Sequence, residues 1–443
     1  MKGNRLNIVV YISHDTGRFI SPYGIRSVFT PNADRVAAEG AVMEQAFCTA
    51  PQCSPSRASV FTGRYPHSTG VLGLTDKWAG WSMNESEIHL ARHLHDAGYE
   101  TALFGFAHEI MSLDGDMERV TRRGFDYNKF EVFYSSSKIY EDLNEFLFNR
   151  EEPEKPFYTQ IAVFETHRHY DFNNCQPDDT LGVTVPPFLN DSPGTRSDFA
   201  ELQGSVRRWD EGLGAILDIL DRWNLTENTL LVVTTDHGLA VPRAKCTLYD
   251  PGIETMLILR CPKYIHPTSR FKELISNVDI TPTILEASGV TLSSHIEGRS
   301  FWPLVTGCGD YKKNEAVFAE KTHHTYYDPK RCIRTERFKY IRNFEATSPE
   351  DTCIELIGRP IYTDNLDKLR VFPQDPEELY DLQADPQEQH NLSDDADFIE
   401  VKKEMIRKLG HWMKQTNDPI LHGPIATPQF YTKLKEFTSG AEK

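Results

Sequence analysis

The feature that most constrains this chain is a repeated alternation of short apolar runs with helical patterns over its first 300 or so residues. Leu6 to Ile12 (LNIVVYI) is apolar and β-branched throughout, as a strand buried on both faces requires. Thr30 to Gly40 (TPNADRVAAEG) follows with an N-capping residue, a first-turn proline and a terminal glycine, which predicts a helix. Glu85 to Ala97 is a second helical pattern, separated by Gly98 from a strand at Glu100 to Phe104. Phe157 to Phe164 reads as a strand, Ser197 to Trp223 as a long helix, and Thr229 to Thr235 (TLLVVTT) as another buried strand. Met256 to Leu259 and a helix around Asp279 to Ser288 continue the series. Such alternation predicts an α/β fold: a central, mostly parallel (mixed) sheet sandwiched by helices.

Beyond about residue 315 the texture changes to short strands such as Phe338 to Phe344, closed by an amphipathic helix at Phe398 to Trp412. The expected organisation is an α/β domain over residues 1–315 and a smaller C-terminal α+β subdomain over 316–443, with Glu345 to Leu369 as a long surface loop. Against 48 basic residues stand 65 acidic ones, a net charge of −17, which disfavours a general nucleic-acid binder because a polyanion is repelled over most of the surface. An anionic substrate therefore needs a local basic pocket. No run approaches the roughly 18 apolar residues of a membrane span, and the start lacks the pattern of a secretory leader, so the expected location is cytoplasmic with no membrane partner. The eight cysteines form no CxxC pair and are too sparse for a disulfide scaffold.

In an open α/β sheet, ligands gather at the carboxyl ends of the strands. Here those ends carry His14 and Asp15, then His108, then Glu165 and His167, then Asp236 and His237. Any one of these alone reads as a cap or a satisfied loop residue; four strand ends delivering acids and histidines together do not. Asp15, Asp236 and His237, with His14, form a candidate divalent-cation cluster: carboxylates suit calcium or magnesium, and two imidazoles suit manganese. Cys53 opens the run Ser54 to Thr62, predicted as a helix with Arg57 one turn on, so that its first amides face whatever the cysteine side chain carries. Residue types alone leave open a buried cysteine beside a cap or a low-pKa thiolate nucleophile.

The stretch CSPSRASVFTGRYPHSTG resembles the type I sulfatase signature, in which C-x-P-S-R directs oxidation of the cysteine to formylglycine. TTDHG, VPRAKCTLYDPGI and PEELYDLQADPQEQHNL follow in the family's chain order, and the CSPSRAS, TDHGLAVPRAKCTLYDPG and THH stretches are most similar to the heparan N-sulfatase (sulfamidase) branch. The resemblance implies an alkaline-phosphatase-like fold and hydrolysis of a sulfate ester or sulfamate, by way of a formylglycine hydrate at Cys53 and a divalent metal, Ca2+ first, with Mn2+ or Mg2+ as alternatives. It implies that Asp15, Asp236 and His237 hold the metal with modified Cys53, that Arg57 fixes the diol, that His108 and Lys245 bind sulfate oxygens, and that His108 or His167 protonates the leaving group. Arg168 is then expected to reach an anionic substrate, and His323 and His324 to line the rim.

Two positions depart from the family pattern. His14 stands where an aspartate is usual, so the first ligand is an imidazole or is missing, and Phe106 stands two residues before His108, where a lysine is usual. The lost cation keeps a second reading open, a phosphonate monoester or phosphodiester hydrolase on the same scaffold; a third is a non-catalytic carbohydrate-binding relative. The expected partners are an anionic small-molecule or saccharide substrate and a formylglycine-generating enzyme, and nothing in the sequence argues against a homo-oligomer.

Overall fold

The structure, a computed structural model, describes residues 5–75, 79–110, 117–345, 352–369 and 373–441. Eight strands form one sheet in the order β4-β3-β5-β1-β6-β7-β2-β8. Its centre is β3 (Glu100–Gly105), β5 (Phe157–Ala162), β1 (Asn7–Ser13) and β6 (Thr229–Thr235), all parallel neighbours. β4 (Tyr127–Phe130) extends one side in parallel. On the other, β7 (Leu257–Arg260) runs antiparallel to both β6 and β2 (Ala41–Phe47), and β8 (Ser269–Ser276) is parallel to β2. The sheet is thus mostly parallel and mixed.

Burial explains why the central runs carry no polar alternation. In β1 every residue is buried, yet successive side chains enter different cores: Val9 and Tyr11 join one face with Leu231 and Val233 of β6, whereas Ile8, Val10 and Ile12 join the other with Leu230 and Val232. A strand covered by helices on both sides has no solvent face to mark with polar residues. The helix Pro193–Arg222 covers the first face. It starts four residues before the predicted Ser197 because the Ser192 hydroxyl accepts the Thr195 amide, 3.1 Å away. Gly212 lets it approach the sheet: a Cβ there would lie 2.5 Å from Ser136 Cβ and 2.8 Å from the Tyr11 hydroxyl, which itself donates to the Trp209 carbonyl.

Two sequence expectations need correction. The helix predicted over Glu85 to Ala97 is confined to Leu90–Asp96, because the His89 ring accepts the Ala91 amide and caps it there. The predicted surface loop Glu345 to Leu369 is not one over its described part. Cys353, Leu356 and Ile361 are buried in the same core as Val9 and Tyr11, and a short helix Pro360–Thr363 packs on Pro193–Arg222. Residues 346–351 of that loop lie outside the described residues.

A second sheet, ordered β12-β11-β10-β9, is antiparallel throughout: β9 (Val317–His323), β10 (Tyr327–Arg334), β11 (Phe338–Asn343) and β12 (Glu377–Asp381). The helix Ile399–Gln415 seats Met405, Leu409, Trp412 and Met413 against Ile333, Tyr340 and Leu379. Phe47 and Ile253 share a core with Val317, Cys332 and Tyr380, which joins the two sheets. Among the described residues, no helix is long and apolar enough to cross a membrane.

Candidate active site

The four central strands end side by side, and the residues that follow them converge. Asp15, just past β1, takes a left-handed backbone conformation (φ +51°), which a short Asx side chain tolerates better than most, and its amide donates to Asp236 Oδ1 at 3.0 Å. Asp236 Oδ1 also accepts the His237 amide at 2.9 Å. Gly238 completes the turn after β6, since a Cβ there would meet the Pro251 carbonyl oxygen at 1.8 Å.

The helix α2 (Cys53–Thr62) points its N-terminus at this group, and all ten of its residues are buried. A helix this enclosed needs small or internally satisfied polar side chains. Ser59 and Thr62 donate to carbonyls one turn back, Ser56 donates to the Asp236 carbonyl, and Arg57 donates from Nε to Asp236 Oδ2 (3.0 Å) and from Nη2 to the Ser13 carbonyl (2.8 Å). Arg57 therefore fixes a carboxylate of the cluster.

His14, Asp15, Cys53 and Asp236 each place a ligand-type atom within 4.8 Å of the others, all buried. His237 joins them: its Nε2 lies 3.0 Å from Asp15 Oδ1 and 3.3 Å from Cys53 Sγ, while Nδ1 donates to the Gly238 carbonyl at 3.0 Å, which leaves the Nε2 lone pair facing the cluster. His14 Nδ1 is buried 3.0 Å from Asp236 Oδ2 but makes no hydrogen bond. A lone-pair donor orphaned among carboxylates fits a cation held between them, so the position where the family pattern has aspartate still supplies a ligand-type atom. Burial opposes ionisation of both acids. Charged neighbours outweigh it, Lys245 at Asp15 and Arg57 at Asp236, holding both carboxyls well below their usual range.

Burial pushes the Cys53 thiol well above its usual value, with Lys245 pulling the other way and Asp236 and Asp15 reinforcing the rise. This corrects the low-pKa thiolate reading: the two carboxylates and the loss of water outweigh the helix N-terminus, and unmodified Cys53 is a neutral thiol.

Lys245 reaches Asp15 Oδ2 at 2.9 Å. His108 is half-buried, with its Nδ1 buried and unpartnered, its ring 4.6 Å from that of Phe106 and 6.3 Å from that of His14. Phe106 thus braces His108 and belongs to the core instead of offering a cation. The His167 ring meets that of His14 edge-on at 5.6 Å. Burial lowers the proton affinity of all three histidines: His14 falls to about 4, and His108 falls well below its usual value, helped by the neighbouring His14 and Arg57.

Arg168 is a correction. The structure buries it, with Nη1 donating to Asp198 Oδ1 at 2.7 Å, Nη2 to Asp198 Oδ2, and Nε to the Ala240 carbonyl, its guanidinium over the Tyr170 ring. Such a side chain positions the loop after β5 and has no donor pair left for substrate. His323 does not present its ring freely either: it packs between Trp81 and Tyr327 with Nε2 on the Ile425 carbonyl, and its own carbonyl accepts from Gln52, beside Cys53. His324 is half-buried, its Nδ1 paired with Thr325 Oγ1.

Sequence reasoning missed Glu355. Its Oε1 lies 3.7 Å from His167 Nε2, Oε2 accepts from the Cys353 thiol, and despite partial burial Lys245 and His167 hold the carboxyl down at about 2. The available signal was the apolar spacing of Cys353, Leu356 and Ile361, out of place in a surface loop.

A family model described as Sulfatase matches residues 7–290, and one described as N-sulphoglucosamine sulphohydrolase, C-terminal, matches residues 237–356. The chain belongs to the sulfatase family. An ulvan-active sulfatase of Formosa agariphila is 29% identical over 95% of this chain and 82% of its own, and human N-sulphoglucosamine sulphohydrolase is 26% identical over 94% and 92%. The fold matches a solved structure in complex with its substrate D-glucosamine-2-N,6-O-disulfate, with a TM-score of 0.72 at 22% identity over 95% of this chain and 99% of that one. As a sulfatase, the protein is a hydrolase of sulfate groups, and its family generally uses a metal and a formylglycine, for which this buried His, Asp and Cys cluster is the matching place.

Proposed function

We propose that the protein hydrolyses a sulfate ester or sulfamate of a sulfated saccharide, with Cys53 oxidised to formylglycine and a divalent cation held by Asp15, Asp236, His237 and His14. The convergence of those four side chains on residue 53 at the tip of α2 carries this reading, and the saccharide-directed names of its relatives give the substrate class. We assign the cation as Ca2+, with Mn2+ and Mg2+ as the ions to compare. When bound, a divalent cation acidifies a neighbouring hydroxyl and offsets charge on sulfate oxygens. A hydrated aldehyde at residue 53 offers two hydroxyls on one carbon, one to attack sulfur and one whose deprotonation expels sulfate.

The chain's own residues prepare that chemistry. Arg57 and Lys245 each hold one oxygen of a cluster carboxylate, Asp236 and Asp15 respectively. His108, its ring held against that of Phe106, hydrogen-bonds a sulfate oxygen. His167 stands near the site's opening, its side chain 20% exposed, and in its protonated form it delivers the proton to the departing oxygen or nitrogen.

Mass spectrometry of the peptide containing Cys53 is expected to show aldehyde or hydrate in place of thiol; full activity with an intact thiol overturns the mechanism. A substrate panel is expected to give a higher kcat/KM for N-sulfoglucosamine or aryl sulfate than for aryl phosphonate, and a preference for the phosphonate overturns the sulfatase reading.

A further inference from the structure

We propose that Glu355 is a specificity-determining residue: its carboxylate selects a saccharide that presents a hydroxyl or N–H beside the scissile sulfate and rejects one that carries a second anionic group there. This rests on the sulfatase reading of the same site.

The argument starts from access. Arg57, His14, Asp15, Asp236, His237 and Lys245 have side chains at most 3% exposed, whereas those of His167 and Glu355 are 20% and 25% exposed and stand 3.7 Å apart. A substituent flanking the sulfate therefore meets these two on the way in. Of this pair only Glu355 is a carboxylate, and its Oε1 is the anionic atom that such a substituent meets.

A carboxylate is an unexpected wall for an anion-binding site, and among the described residues the cations nearest it also hold other partners. Lys245 is shared with Asp15, to which it is bonded at 2.9 Å, and Arg359 of the same segment is turned towards His169 and Glu201. Nor is Glu355 there by looseness of the chain: Cys353, Leu356 and Ile361 anchor the segment in the core of the main sheet, and the Cys353 thiol donates to Oε2. That leaves Oε1 turned towards His167 and the opening. An ionised acceptor in a partly dry site attracts a neutral donor and repels a second sulfate, and at separations of 6–8 Å that repulsion is worth about tenfold or more in affinity.

The test uses Cys53→Ala protein, which cannot turn substrate over, titrated calorimetrically with D-glucosamine N-sulfate and with D-glucosamine bearing both N- and 3-O-sulfate. With Glu355 present, the monosulfated sugar is expected to bind about tenfold more tightly than the disulfated one. Glu355→Gln is expected to bring the ratio of dissociation constants towards one, and Glu355→Asp, which keeps the charge, to preserve most of it. An unchanged ratio in Glu355→Gln, or no binding of either sugar by the Cys53→Ala parent, overturns the proposal. Wild-type turnover of an aryl sulfate, which has no sugar to select, separately tests the sulfatase reading: its absence defeats that reading, while the affinity ratio still decides the role of Glu355.

Discussion

Residues of one chemical type divide here by what already binds them. In sequence Arg168 and Lys245 looked like anion ligands and Arg57 like the residue that fixes the diol, yet Arg57, Arg168 and Lys245 are each paired with a buried carboxylate, Asp236, Asp198 and Asp15 respectively. For Arg168 the pairing is bidentate and complete, so Arg168→Ala leaves Asp198 without its counter-ion and is expected to lose about 3–5 kcal/mol in urea unfolding. A substrate-binding arginine would instead raise KM with stability intact, and that pattern would return Arg168 to the substrate site. At the cluster, Asp236→Ala is expected to abolish metal binding, measured by metal analysis of the purified protein, together with activity. Retained metal at full occupancy would remove Asp236 from the ligand set.

Elements were predicted well where the signal was local. β1 and β6 were recognisable because strands buried on both faces must be continuously apolar, and α1 (Pro31–Glu39) because proline and glycine bracket it. Its cap was not legible. Thr30, the expected N-cap, turns its hydroxyl to Ser21, and Asp210, on the long helix 177 residues away from Ala33, accepts the amides of Asn32 (3.0 Å) and Ala33 (2.8 Å). Asp210→Ala is expected to cost about 1–2 kcal/mol in chemical denaturation. Burial lifts the Asp210 carboxyl to about 6, the Asn32 and Ala33 amides pulling the other way. A carboxyl raised on folding holds its proton more tightly in the native state. Its contribution is therefore complete below about pH 4 and is lost as pH climbs through 6. The stability of the wild type relative to Asp210→Asn is expected to fall across that window; a constant difference between pH 4 and 7 would exclude the effect.

At the scale of the whole molecule, the late segments close the site and tie the two sheets together. Past the end of α2, His67 Nδ1 meets Glu320 of β9 at 2.7 Å, and Arg331 of β10 joins Glu320 to Asp418, all buried. The segment carrying Glu355 is anchored by Ile361, and Ile361→Ala is expected to cost about 2–4 kcal/mol by leaving a cavity in the main core. Denaturant unfolding checks it, and a change below 0.5 kcal/mol would mean the segment rests on the surface as the sequence suggested. The sequence by itself determined the α/β architecture, the four strand ends that bear acids and histidines, and Cys53 at a helix tip, because apolar period, capping residues and a contiguous motif act over a few residues. Only the tertiary structure decided that Arg168 is sequestered by Asp198, that Asp210 caps α1 and that Glu355 stands at the opening. Each depends on a partner 30 to nearly 190 residues distant, and no local pattern encodes which distant charge will be brought within 3 or 4 Å.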